Sequence, residues 1–229
     1  MINGLVLAAG ESKRMGMPKP LLRFPRRSCV PARHSRNSPE TSDQASGDAR
    51  PTKSGDTTFL EQIVSVLREA GVDRTTVVLG AQAQRIQASA DLSGADIVIN
   101  HDYREGQLSS LIAGLKSVPA QADAILLCLV DNPLISSEIV HRVMGAFRET
   151  GKLIVVPVFH GRRGHPTLFA RPMFDELLNA PVEKGARQVV QAHEDKVLEV
   201  DVSDPAILAR IDTPEDYLSH FGMAPRIME

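Results

Sequence analysis

Three cations among small residues near the start of the chain are the first place where chemistry could be done. Residues 2–7 form a strand-like run. The chain then reads Ala8-Ala9-Gly10-Glu11-Ser12-Lys13-Arg14-Met15-Gly16-Met17-Pro18-Lys19-Pro20-Leu21-Leu22. Small residues let backbone N–H groups approach a ligand closely, and clustered Lys and Arg neutralise phosphate oxygens. The chemistry implied is the holding of a nucleoside triphosphate. Backbone amides around Ala9, Gly10 and Ser12 would line the nucleotide, with Arg14 and Lys19 reaching its phosphates. Two commoner phosphate loops do not fit. A Walker loop needs G-x-x-x-x-G-K-[ST] opening into a helix, but Met17 and Pro18 follow Gly16, and Gly10 and Gly16 are one residue too far apart. The dinucleotide pattern G-x-G-x-x-G is absent.

Asp131 is the second candidate. It follows the apolar run 124–130 directly, which places a carboxylate at the carboxyl end of a buried strand, where open α/β sheets bind ligands. Mg²⁺ is held by one or two carboxylates together with substrate phosphates and water. Further along, Asp212-Thr213-Pro214-Glu215-Asp216 has the form of a helix start, with Pro214 at the first position and Thr213 with Asp216 as a capping box. Ser109 and Ser110 stand near the start of another helix, after a strand that ends at Asn100, and helix starts favour anions. Gly164-His165-Pro166 precedes a short strand beginning at Thr167.

The elements that must position these residues alternate in type. Strand-like runs occupy residues 2–7, 75–79, 96–99, 124–130 and 153–158, several of them continuously apolar, as in parallel strands covered on both faces. Phe59, Ile63, Val66 and Leu67 repeat at helical spacing up to Gly71. Leu111, Ala113, Leu115 and Val118 mark a second helix stopped by Pro119, and Ile139, Val143, Met144 and Phe147 a third ending near Gly151. This rhythm predicts a single α/β domain, residues 1–229, built on a mostly parallel, doubly wound sheet. Residues 25–57 break the rhythm. They hold four prolines, no aromatics and many polar residues, so they bury too little apolar area to offset ordering entropy. They read as a flexible insertion, with six Arg or Lys against four acids.

Composition narrows the function class. Net charge is −2 over 229 residues, which argues against a general nucleic-acid or membrane-surface binder. The basic charge is local: residues 8–27 hold six Lys or Arg and one Glu. No run approaches the length of a membrane span, and no leader peptide is evident. Cys29 and Cys128 suggest neither a disulfide framework nor a metal knuckle, and Cys128 reads as a small core residue. A cytoplasmic location and a monomer are expected.

The string L-A-A-G-x-S-x-R-M-G-x-P-K-x-L-L over residues 7–22 resembles the signature loop of the molybdenum cofactor nucleotidyltransferases. These have a glycosyltransferase-A-like α/β fold. The resemblance implies that Leu7, Ala8, Ala9, Gly10, Ser12, Arg14 and Lys19, with Asn100, Ser109 and Ser110, bind the nucleotide. It implies that Asp131 and Asp212 hold Mg²⁺ or Mn²⁺, Asp212 by likeness to a late I-D-T-P-E-D element. Arg14, Lys19 and Asp131 would be catalytic. Asn132 stands where the family usually has Gln, and Gln107-Leu108 where it has Met-Ser. Gly-His-Pro is similar to the cytidylyltransferase branch and would face the second substrate. Arg187 would assist there by likeness to a Gly-Asp-x-Gly-Ala-Arg element, with Glu183 where Asp is usual. Ala9, rather than a second Gly, also resembles the CTP users. The implied activity is transfer of CMP from CTP to molybdopterin-bound molybdenum with release of pyrophosphate. The product would pass to a xanthine-dehydrogenase-type molybdoenzyme or its chaperone. The rivals are another phosphorylated acceptor such as a sugar phosphate or phospholactate, use of GTP, and a non-catalytic cofactor carrier.

Overall fold

The computed structural model describes residues 1–25, 56–181 and 185–228. In chain order the elements are β1 (Ile2–Ala8), β2 (Arg23–Phe24), β3 (Thr57–Thr58), α1 (Phe59–Glu69), β4 (Arg74–Leu79), α2 (Ala83–Ser89), β5 (Ala95–Ile99) and α3 (Gln107–Ser117). They continue with β6 (Ala124–Leu129), α4 (Ser137–Thr150), β7 (Ile154–Phe159), β8 (Arg162–Arg163), β9 (Thr167–Ala170), α5 (Phe174–Leu178), α6 (Gly185–Ala192), β10 (Val197–Asp201) and α7 (Pro214–Phe221).

The main sheet runs β10-β7-β9-β6-β1-β4-β5, with β8 on β7. β6, β1, β4 and β5 are parallel to one another, β10 is parallel to β7, and β9 runs antiparallel between β6 and β7. The mostly parallel α/β sheet expected from the sequence is therefore present. β1 and β6 are buried at every position, which explains their apolar runs: one parity packs under α1 and α4, the other under α3 and α5. Val6, Leu126 and Cys128 belong to the first layer, Leu5, Ile125 and Leu127 to the second. At Gly114 the second layer comes so close that a Cβ would stand 2.5 Å from Leu5 Cδ1 and 2.9 Å from Val78 Cγ2.

Local signals set the helix ends. Thr58 and Glu61 form a capping box on α1, Ser136 caps α4, and Thr213 with Asp216 caps α7 behind Pro214. Gly151 ends α4 in the left-handed region. A third cluster, Met15, Leu22, Phe59, Ile211, Tyr217 and Phe221, ties the residues after β1 to α1 and α7. Its Tyr217 hydroxyl donates to Arg23 O at 2.7 Å.

The expected insertion falls mostly on residues 26–55, outside the described residues. Its last two residues are described: Thr57 pairs with Phe24 in the β2–β3 ladder, and Arg23 meets Asp56 at 2.8 Å. No helix among the described residues is long and apolar enough to cross a membrane.

Candidate active site at the carboxyl edge of the sheet

Because β1, β4, β5, β6 and β7 point the same way, the segments that follow them gather at one edge. The Ala9–Ser12 stretch, Gly80, Asn100, Asp131 and the β8 hairpin all stand there. β9 starts at this edge, so His165 does too. β10 ends there, and the chain then runs back along the edge to Asp212.

The first segment is a tight turn. Ser12 takes a positive φ of 55°, its carbonyl accepts from Met15 N and Gly16 N, and its Oγ accepts from Lys19 N at 3.1 Å. That bond, with buried Met15, Leu21 and Leu22, holds Lys19 inward: its side chain is 12% exposed, against 69% for Arg14. Both reach Asp212. Lys19 Nζ bonds Asp212 Oδ1, and an Arg14 Nη stands 3.1 Å from Oδ2. Lys13 instead pairs with Glu11, which also meets Arg104.

Asp131 and Asp212, 81 positions apart in the chain, are brought together by the backbone. Ile211 N donates to Asp131 O at 2.8 Å, and the Asn132 side-chain amide donates to Ala209 O. Between the carboxylates sits Arg210. One of its Nη atoms lies 3.0 Å from Asp131 Oδ2 and 3.3 Å from Asp212 Oδ2. Burial pulls the Asp212 carboxyl upward, but the Lys19 hydrogen bond and the charges of Lys19, Arg210 and Arg14 outweigh it and hold the group below the usual carboxylate range. Asp131 Oδ1 is buried without a hydrogen-bond partner.

Two cavities flank this cluster, Asp131 lining one and Arg210 the other. A smaller one of about 270 Å³ is lined by Leu7, Ala9, Gly10, Ser12, Lys19 and Asp131, with Gly106, Gln107 and Ser110 at the start of α3. A larger one of about 860 Å³ has Leu108, Leu127, Val156 and Phe169 in its wall and Arg162, Gly164, His165, Arg187 and Arg210 among its polar lining. Leu7, Gln107 and Leu129 line both. At Gly164 a Cβ would stand 2.4 Å from Ile207 O, so only glycine lets His165 approach, and His165 N donates to that same carbonyl at 3.0 Å. Burial pushes the His165 imidazole below its ordinary pKa, against the pull of Asp131, and its Nδ1 has no partner.

Comparison with known proteins decides the family. The model of the MobA-like NTP transferase domain matches residues 49–197. The chain belongs to the MobA-like NTP transferase family. It is accordingly a nucleotidyltransferase. The nicotine blue oxidoreductase of Paenarthrobacter nicotinovorans is 28% identical over 93% of both chains. The molybdenum cofactor cytidylyltransferase of Escherichia coli K12 is 26% identical over 64% of this chain and 73% of its own. Among solved structures, Rv0371c from Mycobacterium tuberculosis H37Rv superposes with a TM-score of 0.75 at 29% identity, covering 97% of both chains. A structure of Rv0371c in complex with manganese gives 0.71 at 28% identity, covering 97% of this chain and 99% of that one.

In this MobA-like transferase the sequence-expected residues separate into four groups. Leu7, Ala9, Gly10, Ser12, Lys19, Ser110 and Asp131 line the smaller cavity, and Gly164, His165 and Arg187 the larger. Arg14 and Asp212 line neither cavity, but Asp212 pairs with Arg14, with Lys19 of the smaller cavity and with Arg210 of the larger. Ala8, Asn100 and Ser109 stand behind the wall. Ala8 is buried in β1, and Asn100 Nδ2 donates to Ser109 Oγ at 2.9 Å and Ser110 Oγ at 3.0 Å, so it orients Ser110. Glu183 lies outside the described residues. Sequence reasoning missed Arg210 altogether. The available signal was a cation two positions before Asp212, but nothing in the spacing ties it to Asp131.

Among the described residues, no three His, Cys, Asp or Glu side chains are grouped to hold a metal by themselves. Two carboxylates, one with an unpartnered buried oxygen, fit a hard cation that completes its shell with phosphates and water.

Proposed function

We propose that this transferase moves CMP from CTP to a molybdopterin-type cofactor, using Mg²⁺ or Mn²⁺ and releasing pyrophosphate. One observation carries the reading: two cavities of different size and lining share Leu7, Gln107 and Leu129 in their walls, with Lys19 and Asp131 lining the smaller and Arg210, which pairs with Asp131 and Asp212, lining the larger. This suits a nucleotide on one side and a phosphorylated acceptor on the other. The smaller cavity, with its small-residue wall and the first turn of α3, takes the nucleotide. The larger, with an apolar floor and Arg162 and Arg187 in its lining, takes a flat heterocycle bearing a phosphate. The resemblance to a cytidylyltransferase and the manganese complex of a similar structure support the choice of substrates and metal.

The chemistry asks little of a base. A phosphomonoester has its second pKa near about 6 and is largely dianionic at neutral pH. Its oxygen attacks the α-phosphorus and pyrophosphate leaves in line. Positioning and charge neutralisation dominate such reactions. Asp131 and Asp212 would hold the cation, which when bound neutralises nucleotide phosphate charge. Lys19 is fixed by its backbone bond to Ser12 and stabilises charge on the phosphates, and the exposed Arg14 closes over them from the solvent side. His165, neutral at pH 7, offers the acceptor a hydrogen-bonding ring nitrogen. Ala9 in the smaller cavity favours cytosine over a purine, though one methyl contact is worth only about 1–3 kcal/mol.

The deciding experiment measures pyrophosphate release with CTP, GTP and ATP, with and without molybdenum cofactor. Release with CTP and cofactor alone is expected. Release with GTP instead would reassign the base. No release with any nucleotide would move the reading to another phosphorylated acceptor or to a cofactor carrier. A relative matched over 93% of both chains is named as an oxidoreductase, so the same samples are tested for dye reduction. Reduction without pyrophosphate would overturn the transfer reading.

A further inference from the structure

Arg210 touches both carboxylates at once. A single Nη atom contacts Oδ2 of both Asp131 and Asp212, and its Nε adds a contact to Asp131 at 3.3 Å. Asp131 has no other ion pair among the described residues, whereas Asp212 also has Lys19 and Arg14. The two carboxylates therefore face three cations. A dication approaching them alone meets a positive surplus and a guanidinium already on the oxygens it needs. A dication arriving with a triphosphate brings its own negative charge. The Arg210 side chain is 58% exposed, so it has room to leave, and it lines the larger cavity, so leaving carries it toward the acceptor side.

We propose that Arg210 is a resident counter-cation of the metal cradle: it clasps Asp131 and Asp212 in the nucleotide-free protein, yields them when metal arrives with nucleotide, and then faces the acceptor's phosphate. The inference rests on the assignment of Asp131 and Asp212 as metal ligands. Its consequence is ordered loading. Free metal binds weakly, metal with nucleotide binds well, and the acceptor gains a guanidinium partner only afterwards. Arginine suits the role because its planar fork sets Nε and one Nη on Asp131 while that same Nη reaches Asp212, whereas a lysine presents one point charge.

The test is Mn²⁺ binding to the full chain, read from the electron paramagnetic resonance signal of free Mn²⁺, without nucleotide and with CTP. Without nucleotide, Arg210→Met should bind Mn²⁺ about ten-fold more tightly than the wild type, the effect of about 1.4 kcal/mol. Arg210→Lys should fall between them, and it covers the case that the methionine variant does not fold. With CTP present the gap should shrink to about three-fold or less, equivalent to about 0.7 kcal/mol. Equal or weaker nucleotide-free binding in both variants would overturn the inference. The ligand assignment fails separately: Asp131→Asn added to Arg210→Met should erase the gain. If the gain survives, the metal sits elsewhere and both readings fall. If Arg210 changes nothing but Asp131→Asn abolishes CTP-dependent binding, only the inference falls.

Discussion

At the scale of single residues, the candidate site surrounds two acids with cations that differ in freedom. Lys19 is packed and Arg14 is exposed, so they should respond differently to truncation. Lys19→Met is expected to lower kcat by about 10²–10³, the usual cost of one preorganised donor, with an unchanged circular dichroism spectrum. Arg14→Met should mainly raise KM for the nucleotide. Equal effects of the two in steady-state kinetics would contradict the packing difference. His165 gives a pH prediction. Its ordinary pKa is about 6.5, and burial depresses it in the folded state. The unfolded chain therefore takes up the proton first as pH falls. The stability tied to neutral His165 is complete above about pH 6.5 and is lost as pH drops below it. Replacement by Gln should flatten that part of a urea-midpoint profile, and a profile of unchanged slope would show that His165 is not the titrating group. Burial in β6 pushes the Cys128 thiol up to about 12, so mass spectrometry should find Cys128 unalkylated at pH 8 until the protein unfolds.

At the scale of elements, capping chemistry carries more than helix stability. Asp216 accepts from Asp212 N at 3.0 Å and Thr213 N at 2.9 Å, so the box that starts α7 also fixes the backbone of a site carboxylate. Asp216→Ala should cost about 1 kcal/mol, seen as a lower melting temperature, together with weaker metal-dependent nucleotide binding. Normal binding in a destabilised variant would separate the two roles. This element shows what could be read in advance. Thr213, Pro214 and Asp216 announce a helix start by their spacing, and the alternation of β1 and β6 between two helical layers is written as continuous apolar runs. β10, α5 and α6 were not legible: β10 has no buried position and the two helices are short, so neither period stands out. Arg210 was invisible for a different reason. Its partner Asp131 is 79 positions away, and the link between them is made by the path of the chain along the sheet edge.

At the scale of the whole molecule, the register of β2 with β3 predicts how much of the chain the fold requires. Phe24 stands opposite Thr57, and antiparallel partners so close can be joined by a very short hairpin. Deleting residues 26–55 and joining Pro25 to Asp56 through one or two glycines should leave the fold intact. It should stabilise the protein by about 1–2 kcal/mol of loop-closure entropy. A melting temperature that falls would mean that the deleted residues contribute to packing. An unchanged melting temperature with lost transfer would place them over the substrates.

The two cavities share Leu7, Gln107 and Leu129 in their walls, and this has a kinetic consequence. Under the proposed transfer, a dinucleotide product made by joining their occupants would touch both sides at once, so its two halves would hold each other in place at high effective concentration. The product should then bind more tightly than either substrate, and its departure should limit turnover under steady-state conditions. A burst of pyrophosphate equal to the enzyme concentration, followed by a slower phase that a product-capturing protein accelerates, is the expected time course; a linear trace from the first turnover would mean that the halves let go independently.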